Sequence, residues 1–517
     1  MIGAAGEKDA SVVSRMPALP HRLVLLSSLF ALAVLAAFAS GGPGLDAQSL
    51  SLGEENSWLR IQNLGGQPAT VDLAFYDLQG NKVASDGCPK SNVCEPIGPG
   101  LGWSFFQQGY SELTDGYRGS AFVTSDQPFA ALLARDVFKG GQFQIAGDTL
   151  KLGRGTPVLY LPIVQNNAQY ASRISVQNSS DASDACVQIE YWAEGSAAVT
   201  AIDPPGPTAG CPNGGVRIPP RGTLLRDETS LPVTNFEGAA IVRALNTGGG
   251  AAADQALAAT VDTRDRNGAG LATYRGIGPD ELSATVALPQ ADRNATDQGS
   301  TWSTRFRILN ANPGSSNQVT LRYEGTNAAG DPIEVEHTVA VTSTLTCDQR
   351  LTDVAGCLPA DEDLPATFVG TVRIIATSPV AVVAQRLDQD GSLDNYRGLT
   401  TKAASRQVML PVVNKNYGPF GDSKGWNSSL RVLTFDGSTA HVRVIYFSKQ
   451  FPNGLVYGPV SVDGFATLRQ WEDGNLPDGW VGSAIVVSDQ PVVVVANVVS
   501  EVFAGDRVMT YGGVSIE

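Results

Sequence analysis

The 517-residue sequence predicts an all-β protein, a string of four antiparallel β-sandwiches behind an amino-terminal apolar segment. Three observations carry that prediction. One strand pattern recurs four times, its strands alternate apolar and polar side chains, and almost no stretch after residue 50 sustains the 3.6-residue period of a helix. The first recurring strand reads Trp58-Leu59-Arg60-Ile61-Gln62-Asn63, then Arg173-Ile174-Ser175-Val176-Gln177-Asn178, Arg305-Phe306-Arg307-Ile308-Leu309-Asn310 and Leu430-Arg431-Val432-Leu433-Thr434. A spacing of about 120 residues is too long for a propeller blade or a solenoid turn and suits a self-sufficient domain, so each copy is expected to own a core.

The next strand follows in each copy as Val71-Asp72-Leu73-Ala74-Phe75-Tyr76, Val187-Gln188-Ile189-Glu190-Tyr191, Val319-Thr320-Leu321-Arg322-Tyr323 and Val442-Arg443-Val444-Ile445-Tyr446. Large apolar side chains at alternate positions predict one buried face. The strongest match is late in each unit, where Tyr117-Arg118-Gly119-Ser120-Ala121-Phe122-Val123 and Trp480-Val481-Gly482-Ser483-Ala484-Ile485-Val486 both run into Ser-Asp-Gln-Pro, at Ser125 to Pro128 and Ser488 to Pro491. Copy three has the looser Phe368-Val369-Gly370-Thr371-Val372, and copy two has Phe236-Glu237-Gly238-Ala239-Ala240 before a Gly-rich insertion at Gly248-Gly249-Gly250. Proline sets φ near −65° and Ser and Asp bond turn backbone, so this block is expected to be a strand, a turn where the chain reverses, and a second strand. The units close with Tyr274-Arg275-Gly276, Tyr396-Arg397-Gly398 and Tyr511-Gly512-Gly513, with no clear counterpart in copy one. Each tyrosine is expected to pack with its hydroxyl tied to backbone. The segments are 1–47 for a signal peptide or membrane anchor and linker, then 48–155, 156–283, 284–405 and 406–517 for repeats one to four.

Short strands separated by turn signals fit antiparallel sandwiches of immunoglobulin-like size. The chain resembles secreted bacterial arrays of tandem immunoglobulin-like domains over nearly all of its length after the amino terminus. That resemblance implies an extracellular scaffold and carries over no binding residues.

Export is also expected from the amino terminus. Arg15, His21 and Arg22 precede an apolar run from Leu23 to Ala39, then the breaker Gly41-Gly42-Pro43-Gly44. Ala37-Phe38-Ala39 and Ala47-Gln48 offer cleavage sites, and Met16 in place of Met1 gives a signal of ordinary proportions. The competing reading is an uncleaved anchor, for which the run is at the short edge of a bilayer span. No cysteine ends the run for lipid attachment, and the carboxyl end shows no apolar tail or sorting pattern.

The six cysteines fall two to a copy in the first three copies. Local pairing is expected, Cys88 with Cys94, Cys186 with Cys211 and Cys347 with Cys357, as suits an oxidising compartment. No C-x-x-C or Cys/His cluster suggests a metal site. A net charge of −15 without a basic run disfavours nucleic acid and anionic membrane. Membrane contact is then expected only through the amino-terminal segment.

Signals for chemistry are sparse. His337 and His441 lie in strand-like stretches of different copies, and no G-x-S-x-G elbow, H-E-x-x-H helix or phosphate-binding glycine loop is present. Carboxylates are too many for any glycosidase pair to be chosen. Asp388-Gln389-Asp390-Gly391-Ser392-Leu393-Asp394-Asn395 gathers oxygen ligands of the kind Ca²⁺ prefers, making Asp388, Asp390 and Asp394 a candidate calcium site against the plainer reading of an Asp-Gly hairpin turn. No other cofactor is expected. Asn178, Asn294 and Asn427 head glycosylation sequons.

These features point to an exported, non-enzymatic structural, adhesive or spacer protein of the cell surface, with an extracellular protein or polysaccharide as partner. One alternative is a carbohydrate-binding array with Trp103, Trp192, Trp471 or Trp480 on a shared flat face. The other is a hydrolase whose site assembles between modules around His337 or His441.

Overall fold

The computed structural model describes residues 54–516 apart from 140–141, 151–152, 154, 246–254, 269, 298, 352–355, 361, 419–424 and 501–504. The amino-terminal apolar run, both cleavage candidates and Gly248-Gly249-Gly250 lie outside the described residues. Strand accounts for 65% of the structure and helix for 3%, which makes the protein all-β. Among the described residues no helix is long and apolar enough to cross a membrane.

Alternation in the sequence becomes alternation in burial. In Thr439–Ser448, Ala440, Val442, Val444 and Tyr446 are buried while His441 and Arg443 are exposed. Period-two side chains on a pleated strand put all of one set on one face, so these strands assemble into sheets with one apolar side. The fourth copy shows the full pattern. One sheet runs Phe451–Asp463, Thr439–Ser448, the first half of Trp480–Ser500, then an entry strand, Ser405–Lys415. Its companion runs Phe465–Arg469, the Asn-tipped strand equivalent Trp426–Thr434, the second half of Trp480–Ser500, then a closing strand, Val508–Gly512. Every pairing in that set is antiparallel. The third copy repeats it with entry strand Ser283–Leu288 and closing strand Leu393–Arg397, and the second with Val158–Asn166 and Leu271–Arg275.

The Ser-Asp-Gln-Pro segment does not reverse the chain. Trp480–Ser500 is one 21-residue strand, as is Phe368–Asp388. Its front half ladders to Thr439–Ser448 and its back half to Trp426–Thr434, so the chain changes sheets at Asp489-Gln490-Pro491 and keeps its direction. In the first copy Gly119–Ser125 and Phe129–Lys139 divide the same two roles. Proline lacks the N–H that would continue one ladder, which favours the change of sheet. The serines bond locally as expected, Ser488 Oγ accepting from Gln490 N and Ser125 Oγ from Gln127 N. The aspartates instead reach the neighbouring strand of the front half's own sheet, where Asp489 Oδ1 accepts from His441 N and Asp126 Oδ1 from Thr70 N, just before Val71–Asp77, both at 2.7 Å.

The closing tyrosines are buried, and each hydroxyl donates to a carbonyl of the entry strand or of the second residue past its end: Tyr274 to Ile163, Tyr396 to Gln290 and Tyr511 to Val412. Those carbonyls belong to the residue after the proline of Leu161-Pro162, Leu288-Pro289 and Leu410-Pro411. The first copy has no entry strand among the described residues. Ladder register puts Asp148 where the others have tyrosine, which accounts for the missing motif in copy one.

The expectation that each copy owns a separate core holds for the first copy alone. Its cluster, around Ile61, Leu73, Phe75 and Phe105, stays within residues 59–131. The second copy's core continues into Leu309, Ala381 and Val383 of the third, the third's into Leu433, Val493 and Val495 of the fourth, and the fourth's into Trp58, Leu132 and Phe143 of the first. The closing strands touch in a ring, Gln142–Thr149 meeting Leu271–Arg275 and Val508–Gly512, and Leu393–Arg397 meeting the same two. At its centre Asp506 Oδ2 accepts from Leu271 N at 2.8 Å and Leu393 N at 2.9 Å, and Asp148 accepts from Arg275 N and from the Arg397 guanidinium. A two-residue parallel ladder, Gly505-Asp506 on Phe143-Gln144, is the one strand pairing between distant copies among the described residues. Gly505 has φ of +103°, and a Cβ there would lie 2.4 Å from the Phe143 carbonyl oxygen, so only glycine admits that approach.

Candidate binding cleft between the first and second repeats

Three of the four junctions are built the same way. The entry strand of one copy lies on the edge of its own crossing strand and packs its outer face on the Asn-tipped sheet of the next. An arginine on the Asn-tipped strand fastens the junction from the other side. Arg60 Nε donates to Pro411 O at 2.6 Å, Arg307 Nη1 to Gly238 O at 2.6 Å with Nη2 on Glu237, and Arg431 pairs with Asp292 at 3.5 Å. A buried guanidinium calls for acceptors of this kind, although the Nε of Arg431 has no hydrogen-bond partner among the described residues.

At the junction of the first and second copies both halves are missing. Gly119–Ser125 pairs with Val71–Asp77 alone among the described residues, leaving its other edge unpaired. Ala121 is exposed and Val123 half-buried, whereas the register equivalents Ala240, Val242, Val372, Ile374, Ala484 and Val486 are completely buried. On the facing wall Ser175 stands where the other junctions have Arg60, Arg307 and Arg431, beside half-buried Gln177, Ala258 and Thr260. Between these walls is a cavity of ≈ 340 Å³. Its size is within the range of ligand pockets.

The cleft's ends are charged and internally compensated. Burial alone would raise the Glu281 carboxyl, but bidentate Arg275 and nearby Arg397 hold it well below the usual carboxylate range. Burial likewise opposes the charge on Asp262, and Arg135 and Arg173 outweigh it. At the other end the Arg221 guanidinium of the second copy stacks over Phe122 of the first at 3.6 Å, and Ser120 Oγ donates to Arg221 O. The cleft is therefore a groove with a strand edge on one wall, hydroxyls and amides on the other, and no free charge aimed into it among the described residues.

The residues singled out from sequence lie elsewhere. Disulfides join Cys88 to Cys94, Cys186 to Cys211 and Cys347 to Cys357, each within one copy. Asp388, Asp390 and Asp394 do not converge. Asp388 Oδ1 accepts from Thr301 N and Gln389 N, Asp390 is exposed, and Asp394 is buried in the closing strand Leu393–Arg397, which is buried at every position. No cluster of three metal-binding side chains exists among the described residues. His337 is half-buried on Pro332–Val341, and His441 Nδ1 meets Asp489 Oδ2 at 2.7 Å on the surface, with no hydroxyl bonded to its far ring nitrogen among the described residues. Trp192 and Trp480 are buried, Trp103 packs on the first core, and Trp471 is half-buried beside Arg469, so these four form no shared exposed face. Asn178, one of the sequon residues, is completely buried, its amide donating to Ser183 O and Ile218 O.

No family model matches the sequence, and no curated protein matches it. Among solved structures the chain aligns with the tetra-tandem repeat in the extending region of a large adhesion protein, at 13% identity over 88% of this chain and 93% of that one, with a TM-score of 0.08. A score that low carries no weight for fold or function.

Proposed function

We propose that the protein is an exported, non-enzymatic structural or adhesive scaffold of the cell surface, made of four immunoglobulin-like sandwich domains at 48–155, 156–283, 284–405 and 406–517. One observation carries this reading: many of the buried charged side chains join one repeat to another, although Arg293, Asp348 and Lys415 are partnered within their own repeat. Asp148 and Asp506 tie copies across the ring, and Arg60, Arg307, Arg386 and Arg431 fasten neighbouring copies. Active sites more often hold such groups in reach of substrate with their pKa values tuned for proton transfer. The three local disulfides are consistent with an extracellular location. An extracellular protein or polysaccharide is the partner class that suits such a scaffold.

The test is to offer the full chain broad panels of glycoside, peptide and ester substrates beside pull-downs on cell-wall and polysaccharide fractions. No turnover is expected. Turnover that disappears in His337→Ala or His441→Ala ends the scaffold reading.

A further inference from the structure

We propose that the cleft between the first and second repeats receives one extended polypeptide strand of a partner protein, laid antiparallel on Gly119–Ser125 in the place of the absent entry strand. The argument is continuity with an interface this chain builds three times. Strands Val158–Asn166, Ser283–Leu288 and Ser405–Lys415 each occupy the corresponding edge, always antiparallel, with the leucine of the Leu-Pro pair opposite Ala240, Val372 or Ala484. Register puts Ala121 at that position in the empty slot. An unpaired strand edge beside a groove is the template for strand addition, in which main-chain bonds supply affinity and alternate side chains supply selection.

The walls define the occupant's chemistry. Side chains entering the first repeat meet Ala121, Val123 and Phe129, which calls for small or branched apolar residues. Side chains on the other face meet Ser175, Gln177 and Thr260, which calls for polar ones. The in-chain strand Val158–Asn166 is buried at every position and has no polar face to offer. Residues 40–53 contain no Leu-Pro pair and carry Gly41-Gly42-Pro43-Gly44, so they do not repeat the entry-strand pattern. An amphipathic strand from another polypeptide fits both walls. Oligosaccharide could use the hydroxyls and amides but would leave the backbone edge unpaired.

The proposal goes beyond the scaffold reading and does not depend on it, because substrate turnover would end that reading and leave the cleft's occupancy to be measured separately. The probe is a synthetic peptide of residues 283–293, an entry strand whose Ser283 and Thr285 alternate with Ala284 and Val286, added to the full chain. Hydrogen exchange and fluorescence anisotropy of the labelled peptide are the readouts. Saturable one-to-one binding should slow exchange in Gly119–Ser125 about tenfold or more and leave Phe236–Leu245 unchanged, since that edge is already occupied. Ala258→Trp and Thr260→Arg, both on the far wall and away from the strand edge, should each weaken binding about tenfold or more, with circular dichroism confirming the fold. The proposal is overturned if peptides of all three entry strands leave exchange in residues 119–125 unchanged at about 1 mM, the weak end of specific association. It is overturned equally if protection survives both substitutions, or if oligosaccharides occupy the cleft and peptides do not.

Discussion

Replacing Asp506 separates two roles of one buried carboxyl. Its Oδ2 is the acceptor for Leu271 N and Leu393 N, from the second and third copies, at the centre of the ring. In Asp506→Ala both amides remain buried without an acceptor, at about 1–3 kcal/mol each, so the loss should be about 2–6 kcal/mol. Asp506→Asn keeps an acceptor oxygen and should cost far less. Burial raises the Asp506 carboxyl well above its ordinary value, with nearby Asp394 acting in the same direction. A group whose folded pKa is raised contributes stability that is complete below its unfolded value, about 3.8, and declines as pH rises towards the folded value. The decline can reach about 1.4 kcal/mol per pH unit. Glu55, held at about 2 by Arg264 and Arg173 against the effect of burial, and Glu281 have depressed values, so their contributions are complete above about pH 5 and lost only in acid. Above about pH 5, therefore, the wild type should lose stability relative to Asp506→Asn as pH rises towards the folded value. Guanidinium unfolding followed by tryptophan fluorescence measures all three proteins. The reasoning is refuted if Asp506→Asn is as unstable as Asp506→Ala at neutral pH, or if its pH dependence in that window matches the wild type.

Substitutions at two further positions test contacts repeated along the chain. Asn310→Ala removes an amide that donates to Ser315 O, Val341 O and Thr342 O and a carbonyl that accepts from Asn312 N, so about 2–4 kcal/mol should be lost in chemical unfolding; Asn310→Thr should recover part of it, because Thr434 holds two carbonyls at the equivalent place. Tyr396→Phe leaves the Gln290 carbonyl without its hydroxyl donor and should cost about 1–3 kcal/mol, measured by the shift in unfolding midpoint at constant slope.

What was legible in the sequence was local and periodic. The alternation at Val71–Tyr76 or Val442–Tyr446 specifies strand and buried face together, and cysteines confined to one copy need no knowledge of topology to be paired. The tyrosine hydroxyls were legible for the same reason, since a buried phenol needs an acceptor. The course of the long strands was not. Ser-Asp-Gln-Pro carries three residues that mark turns, Ser, Asp and Pro, and nothing local says whether the chain will reverse or pass to the facing sheet. The ring was hidden as well, because Asp394 is in an oxygen-rich sequence that reads as calcium-binding or as a hairpin turn until the closing strand buries it, and nothing local marks Asp506 as an acceptor for two distant copies. The cleft left a trace that counting could find: three Leu-Pro entry strands stand against four copies of the Asn-tipped strand or its Thr434 equivalent, and the second of those four alone, with Ser175, lacks arginine at the position of Arg60, Arg307 and Arg431.

That paired loss bears on why the first junction differs. An arginine at position 175 facing an unoccupied edge would be a half-buried guanidinium with none of the acceptors that Pro411, Gly238 or Asp292 provide elsewhere, and an uncompensated buried charge costs several kcal/mol. Serine at that place removes the charge that would demand a permanent partner. The second repeat's wall is thus matched to water or to a polar face, while Ala121 and Val123 on the opposite wall keep the apolar residues that an entry strand would bury. One side of the junction has adapted to the strand's absence and the other still accepts it, which is the combination a reversible strand-binding groove requires.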